Sequence, residues 1–208
     1  MNKTILLSAL SLAIALPAQA QEDTAPSSVK TEGFYVGLDL GISNQVNLGI
    51  SNQVNDTALT TGYGLFAGYE FDLADNFTTA VEVDYFNWGE PQEFSYLLSS
   101  LTGINIDTTF SGYTISAKPR YYLTNNIFVG GSIGYSSNSF NADVSGYETL
   151  ELANSSGLIF GAEAGYQHNN GFLARAGYKA TSTDFSGSGL ESIAVDLSSF
   201  YVGIGYKF

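Results

Sequence analysis

Eight stretches of the chain alternate apolar residues with small or polar ones at a period of two, at approximately 33 to 41, 62 to 71, 77 to 87, 112 to 123, 126 to 136, 156 to 167, 171 to 180 and 199 to 208. Successive side chains of a strand point to opposite faces, so each stretch predicts a strand with one apolar face. The last shows the split plainly, with Phe200, Val202, Ile204, Tyr206 and Phe208 on one parity and Tyr201, Gly203, Gly205 and Lys207 on the other. The first sets Phe34, Val36, Leu38 and Leu40 against Tyr35, Gly37, Asp39 and Gly41. Each stretch is near the roughly 9 to 11 residues that a tilted strand needs to cross hydrocarbon.

Long polar connections at 42 to 61, 88 to 111, 137 to 155 and 181 to 198 alternate with short ones at 72 to 76, 124 to 125 and 168 to 170. Long and short therefore fall on opposite rims, the arrangement of membrane barrels with external loops and periplasmic turns. The parity of the charges decides between a membrane barrel and a soluble one. Lys118, Arg120, Arg175, Lys179 and Lys207 share the polar parity with Asp39, Glu70, Glu82, Asp84 and Glu163. A soluble barrel would turn its apolar face inward and scatter charge outward. Opposite charges gathered on one parity instead predict an eight-stranded antiparallel up-and-down transmembrane β-barrel whose lumen holds a structural charge network. Apolar-parity aromatics add a second sign. Tyr69, Phe71, Phe77, Tyr121, Tyr166, Phe172, Tyr206 and Phe208 lie near the short-turn rim, and Tyr63, Tyr85, Tyr113, Tyr135, Tyr178 and Phe200 near the other. Two aromatic girdles around an aliphatic band fit rings placed at two membrane interfaces.

Composition sharpens this picture. Residues 1–20 read as a signal peptide: Lys3 gives a basic start, Ile5 to Leu16 an apolar run, and Ala18-Gln19-Ala20 small residues for cleavage. Residues 21–32 are a polar periplasmic leader, and 33–208 form the barrel domain. From Gln21 onward six Lys+Arg face 20 Asp+Glu, a net charge of −14, which excludes nucleic acid as a natural partner. With no Cys there is no disulfide framework, so stability must come from the sheet. The 23 Gly, 14 Tyr and 14 Phe beside four Pro suit a single β-rich domain. Nothing calls for a cofactor, and no loop carries calcium-binding spacing of the EF-hand type.

Gly33-Phe34-Tyr35-Val36-Gly37 opening the barrel and Phe200-Tyr201-Val202-Gly203-Ile204-Gly205-Tyr206-Lys207-Phe208 closing it resemble the small outer-membrane β-barrel family that includes OmpA-type transmembrane domains and OmpX/Ail-type proteins. The resemblance implies a Gram-negative outer-membrane location, with outer-membrane lipids and lipopolysaccharide as surroundings. It also implies that Tyr206 and Phe208 form the C-terminal signal read by the barrel-assembly machinery. The function implied is structural or interactive, in envelope integrity, adhesion or surface recognition of an external ligand through the loops. A narrow porin-like channel is the alternative, and a lipid A-modifying enzyme the third class. That chemistry needs a His with Ser and an acid near the external rim, whereas His168 falls in a short periplasmic turn. No catalytic residue is assigned. Glu82 and Asp84 share a face at i, i+2, but Lys118 and Arg120 on the neighbouring strand make them salt-bridge partners.

Five smaller features remain. The long connections carry Asp56, Glu90, Glu93, Asp107, Asp143, Glu148, Glu151, Asp184, Glu191 and Asp196 and no Lys or Arg, an acidic external surface. LGISNQVN occurs twice in tandem, at 40–47 and 48–55, as a slip in a tolerant loop would leave it. Phe94, Leu97, Leu98 and Leu101 after Pro91 have helical spacing. Pro119 should mark a bulge or the turn-proximal end of strand four. Finally, Glu163 and Arg175 flank the turn at 168–170. They should pair directly if the loop centres on Asn169, or diagonally if Gly171 takes the left-handed position.

Overall fold

A computed structural model describes residues 31–48, 58–90, 95–96, 99–100, 103, 106–144, 150–187 and 190–208. Eight strands run in chain order: β1 Gly33–Leu48, β2 Ala58–Ala74, β3 Phe77–Gly89, β4 Ile106–Tyr122, β5 Ile127–Val144, β6 Leu150–Gln167, β7 Phe172–Gly187 and β8 Leu190–Lys207. Every neighbouring pair is antiparallel, and β8 pairs back onto β1 to close the barrel. Closure leaves no sheet edge, the condition for a sheet to satisfy its backbone in lipid. No described helix is long and apolar enough to cross a membrane.

The face assignment follows the parity. Phe34, Leu38, Leu65, Val83, Ile115, Phe160 and Ile204 point outward and are each about half exposed or more, whereas Tyr35, Asp39, Phe66, Glu82 and Arg175 are buried inside. Both girdles are present on the outer wall, from Phe208 at 68% exposure on one rim to Tyr113 at 66% near the other.

The long connections are shorter than the sequence reading gave. Only 49–57, 90–105, 145–149 and 188–189 separate strands on that rim; the rest of the polar stretches continue the strands. The reason is that the alternation changes character above the upper girdle. On β8 the outward residues become Ser198 and Asp196 while Leu197 and Val195 turn inward, and on β4 Ser111 and Thr109 face out while Phe110 faces in. Ladder pairing needs no apolar outer face, and hydroxyl side chains suit a pleated surface in water. The outer wall therefore changes from apolar within the membrane to polar beyond it, while an apolar cluster of Phe110, Val195 and Leu197 appears inside among buried Asn44, Thr108, Asn138 and Ser155. Nine residues of β5 lie past Tyr135, which at ~3.3 Å per residue and a tilt of ~40° raises the strand roughly 20 Å above the girdle.

The opposite rim is tight. Residues 75–76 join β2 to β3, with Asn76 in the left-handed region at φ 62°. Residues 168–171 join β6 to β7, with Gly171 at φ 93°. Pro119 makes no bulge. Pairing of β4 with β5 lapses at 118–119 and resumes at Arg120↔Gly130 in the same register. The first copy of the repeat lies in β1; beyond Leu48 the second falls outside the described residues. So do Phe94, Leu97, Leu98 and Leu101, although Ser95, Tyr96, Ser99 and Ser100 between them are helical. The signal segment and residues 21–30 also lie outside, as do Asp56, Glu93 and Glu148.

Candidate functional site in the charged lumen

The ten charged residues of the polar parity all lie inside the barrel, at most 8% exposed. They form stacked layers. Nearest the short-turn rim, Glu70 Oε2 is 2.7 Å from both Arg120 Nη1 and Lys207 Nζ. Its other oxygen accepts from Thr78 Oγ1 at 2.5 Å and lies 3.0 Å from the Tyr122 hydroxyl, which is also 3.0 Å from Gln167 Oε1. Lys207 donates further to Gln167 Oε1 at 3.2 Å and to the Thr31 carbonyl.

The middle layer is built on Glu163 and Glu82. Glu163 accepts from Arg120 Nε at 2.8 Å, Lys118 Nζ at 3.0 Å and the Tyr201 hydroxyl at 3.1 Å. Glu82 meets Lys118 and Arg175, each at 2.7 Å, and accepts from the Tyr35 hydroxyl at 2.9 Å. Arg175 forks onto Asp39, Nε at 3.0 Å and Nη2 at 2.7 Å, with its guanidinium stacked 3.5 Å from the Phe66 ring centre. This two-toothed geometry is the strong form of such a pair. Above it Lys179 Nζ lies 3.3 Å from Asp84 and 3.6 Å from the Phe86 ring centre.

The pair expected between Glu163 and Arg175 forms in the diagonal register, as the longest of the Arg175 ion pairs. Arg175 stands opposite Gly165, and Glu163 opposite Gly177, so the turn centres on Asn170 with Gly171 in the left-handed position and the two are diagonal neighbours. They approach only to 3.7 Å, because the long Arg175 side chain reaches across the lumen to Asp39 on β1 and Glu82 on β3. Glu82 and Asp84 each meet a base. Exposed His168 serves its own turn, Nδ1 accepting from the Asn170 N–H at 3.2 Å.

Neutral partners of the network were not singled out from the sequence. Tyr35, Thr78, Tyr122, Gln167 and Tyr201 all stand on lumen parity, and that parity was the available signal. An aromatic seal was also missed: Phe86, Trp88, Phe110, Val195 and Leu197 pack together above Lys179, joined by Phe140, with the Phe110 and Phe140 rings stacked at 4.5 Å. Interleaved with the charges, Tyr35, Phe66, Ala80, Tyr122, Phe128 and Leu173 form another buried cluster, with the Arg175 guanidinium over Phe66 and that of Arg120 over Phe128. Glu82 Oε1 and Arg120 Nη2 lack aligned hydrogen bonds but lie 2.7 and 2.8 Å from Lys118 and Glu163, so opposite charge compensates them. Among the described residues, Ser116 Oγ and Trp88 Nε1 are buried without a partner.

Little space is left. A cavity of about 20 Å³ lies between Asp39, Asp84, Ser116, Lys118, Arg175 and Lys179, room for about one water. A wider concavity of about 740 Å³ at the short-turn rim is lined by Asp72, Asp75, Thr78, Tyr122 and Thr124. No group of three or more His, Asp or Glu residues suited to a metal occurs among the described residues.

Residues 6–208 match the family described as outer membrane protein beta-barrel domain. No curated protein matches the sequence. Among solved structures, Neisserial surface protein A is 18% identical, with 85% of this chain and 97% of that chain covered and a TM-score of 0.55. Ail, the attachment invasion locus protein of Yersinia pestis, solved in complex with the heparin analogue sucrose octasulfate, is 16% identical over the same shares at 0.51. Similarity at these identities shows a shared fold.

Proposed function

The chain belongs to the outer membrane protein beta-barrel domain family and lies in the bacterial outer membrane; from that premise we propose that it is a non-enzymatic, closed barrel whose external end serves adhesion, surface recognition or envelope integrity. One observation carries this reading: the lumen is filled by mutually paired charges under an aromatic seal. Five acids meet five bases there, and eight strands enclose an interior that side chains can fill. A narrow channel would need a continuous wet path, and here such a path would have to part the ion pairs and the aromatic cluster above them. Chemistry on lipid A would need a reactive group near the external rim, and His168 stands at the other end.

A sulfated polyanion of the kind bound in the Ail complex does not suit this chain, since its external segments carry acids and no Lys or Arg. The external ligand is then neutral or basic. Cells with and without the protein, screened against host matrix proteins, should differ in binding. Shortening 90–105 and 145–149 should abolish the difference while heat-modifiable barrel remains. Equal binding by all three strains would remove the recognition reading.

A further inference from the structure

The change in the outer wall above the upper girdle leaves an outward surface that neither the lipid-facing wall nor the lumen network explains. On β4 to β6 it is a continuous sheet of hydroxyls and amides. Tyr113 pairs with Ser137, Ser111 with Ser139, Ser137 with Ser156 and Ser139 with Asn154. Ser137, Ser156 and Asn154 are exposed, and Ser111, Thr109 and Ser139 half-buried. Cross-strand hydrogen bonds hold part of the surface in place: Tyr135 donates to Ser156 at 2.7 Å and Ser139 to Asn154 at 2.9 Å. At its base stand the exposed rings of Tyr113 and Tyr135. The sheet is continuous with the lipid-facing wall and begins about 5 Å above the girdle, one pair of residues up. A headgroup layer occupies roughly 5 to 8 Å beyond the hydrocarbon, so this surface starts within it and continues past it.

We infer that this face of β4 to β6 is a docking surface for the sugar rings of the outer-leaflet glycolipid, bound through hydroxyl and amide hydrogen bonds and ring stacking rather than through its phosphates. The charge pattern selects the sugar. Phosphate recognition uses Lys or Arg, and the segments beyond the girdle contain neither. Their described exposed charges on β4 and β8, Asp107 and Asp196, would repel phosphate. A sugar offers neutral hydroxyls to Ser and Asn and an apolar ring face to Tyr113 and Tyr135. The inference rests on the outer-membrane location and not on the recognition reading above.

The test uses the full mature chain in vesicles of phospholipid alone, phospholipid with lipopolysaccharide bearing its core oligosaccharide, and phospholipid with lipid A, each with and without EDTA. The urea midpoint should be highest with the core oligosaccharide, intermediate with lipid A and lowest in phospholipid, and EDTA should leave most of the increment. A variant combining Ser111→Ala, Ser137→Ala, Ser139→Ala and Ser156→Ala loses two cross-strand hydrogen bonds and so has a lower phospholipid midpoint; measured from that midpoint, its oligosaccharide increment should fall to half of the unmutated chain's or less. Equal midpoints in the three vesicles would overturn the inference. So would an increment that the variant retains, or one that EDTA abolishes, which would assign it to phosphate bridged by divalent cations. Failure of the cell-binding screen would leave these outcomes untouched.

Discussion

At the scale of single residues, Arg175 is a junction of the lumen network. Its guanidinium meets Asp39, Glu82 and, at longer range, Glu163. Removing one partner of a buried ion pair leaves an uncompensated charge, at about 3 to 5 kcal/mol. Arg175→Ala should lower unfolding stability in urea by about that amount. In double-mutant cycles its coupling to Asp39→Asn should exceed its coupling to Glu163→Gln. Equal coupling to both would contradict the 2.7 and 3.7 Å separations. Gly203 makes a related point, because a methyl group there would collide with the Asp39 carboxylate and approach Arg175 Cγ at 3.2 Å. Gly203→Ala should therefore destabilise the barrel even though it adds only one carbon, measured as a lower midpoint in the same urea titration. The parity of these residues could be read from the sequence. Which base meets which acid could not, because side chains as long as Arg175 cross the lumen to strands far away in the chain.

At the scale of elements, the β4–β5 ladder has a defined weak rung. The N–H and C=O of a strand residue point the same way, and the Pro119 carbonyl lies on the β5 side, beside Gly130. The donor that proline lacks is therefore missing toward Gly131, where pairing lapses. Pro119→Ala should restore one ladder bond and raise stability by about 1 kcal/mol, with slower hydrogen exchange at the neighbouring β4 and β5 amides. An unchanged exchange pattern would mean that the gap has another cause. The strand centres were legible because lipid imposes strict alternation on their outer face. The strand ends were not: beyond the upper girdle both faces carry Ser, Thr and Asn, and a polar stretch that continues a ladder reads like a loop. Phe86 and Trp88 on lumen parity, with Val195 and Leu197 opposite in sense to Phe200, were the available sign of the change.

At the scale of the whole molecule, the barrel is a membrane segment with a charged interior, continued outward by a segment whose interior carries an aromatic and aliphatic cluster among neutral polar residues. The orientation predicts that cysteine at Ser188 labels with an impermeant reagent on intact cells and cysteine at Asn169 does not; the reverse would invert the barrel. Assembly adds a second expectation. Tyr206 and Phe208 close the chain with outward rings 5.2 Å apart, and deleting Phe208 should slow insertion and leave protease-sensitive periplasmic chain. Normal heat-modifiable barrel in that mutant would detach the terminal aromatic from assembly. The closed lumen is the claim on which the functional reading stands, and single-barrel recording in planar bilayers tests it most directly. With folded protein inserted and verified by heat modifiability, the current should stay at the level of the bare bilayer; steady discrete conductance that scales with salt would contradict a sealed barrel.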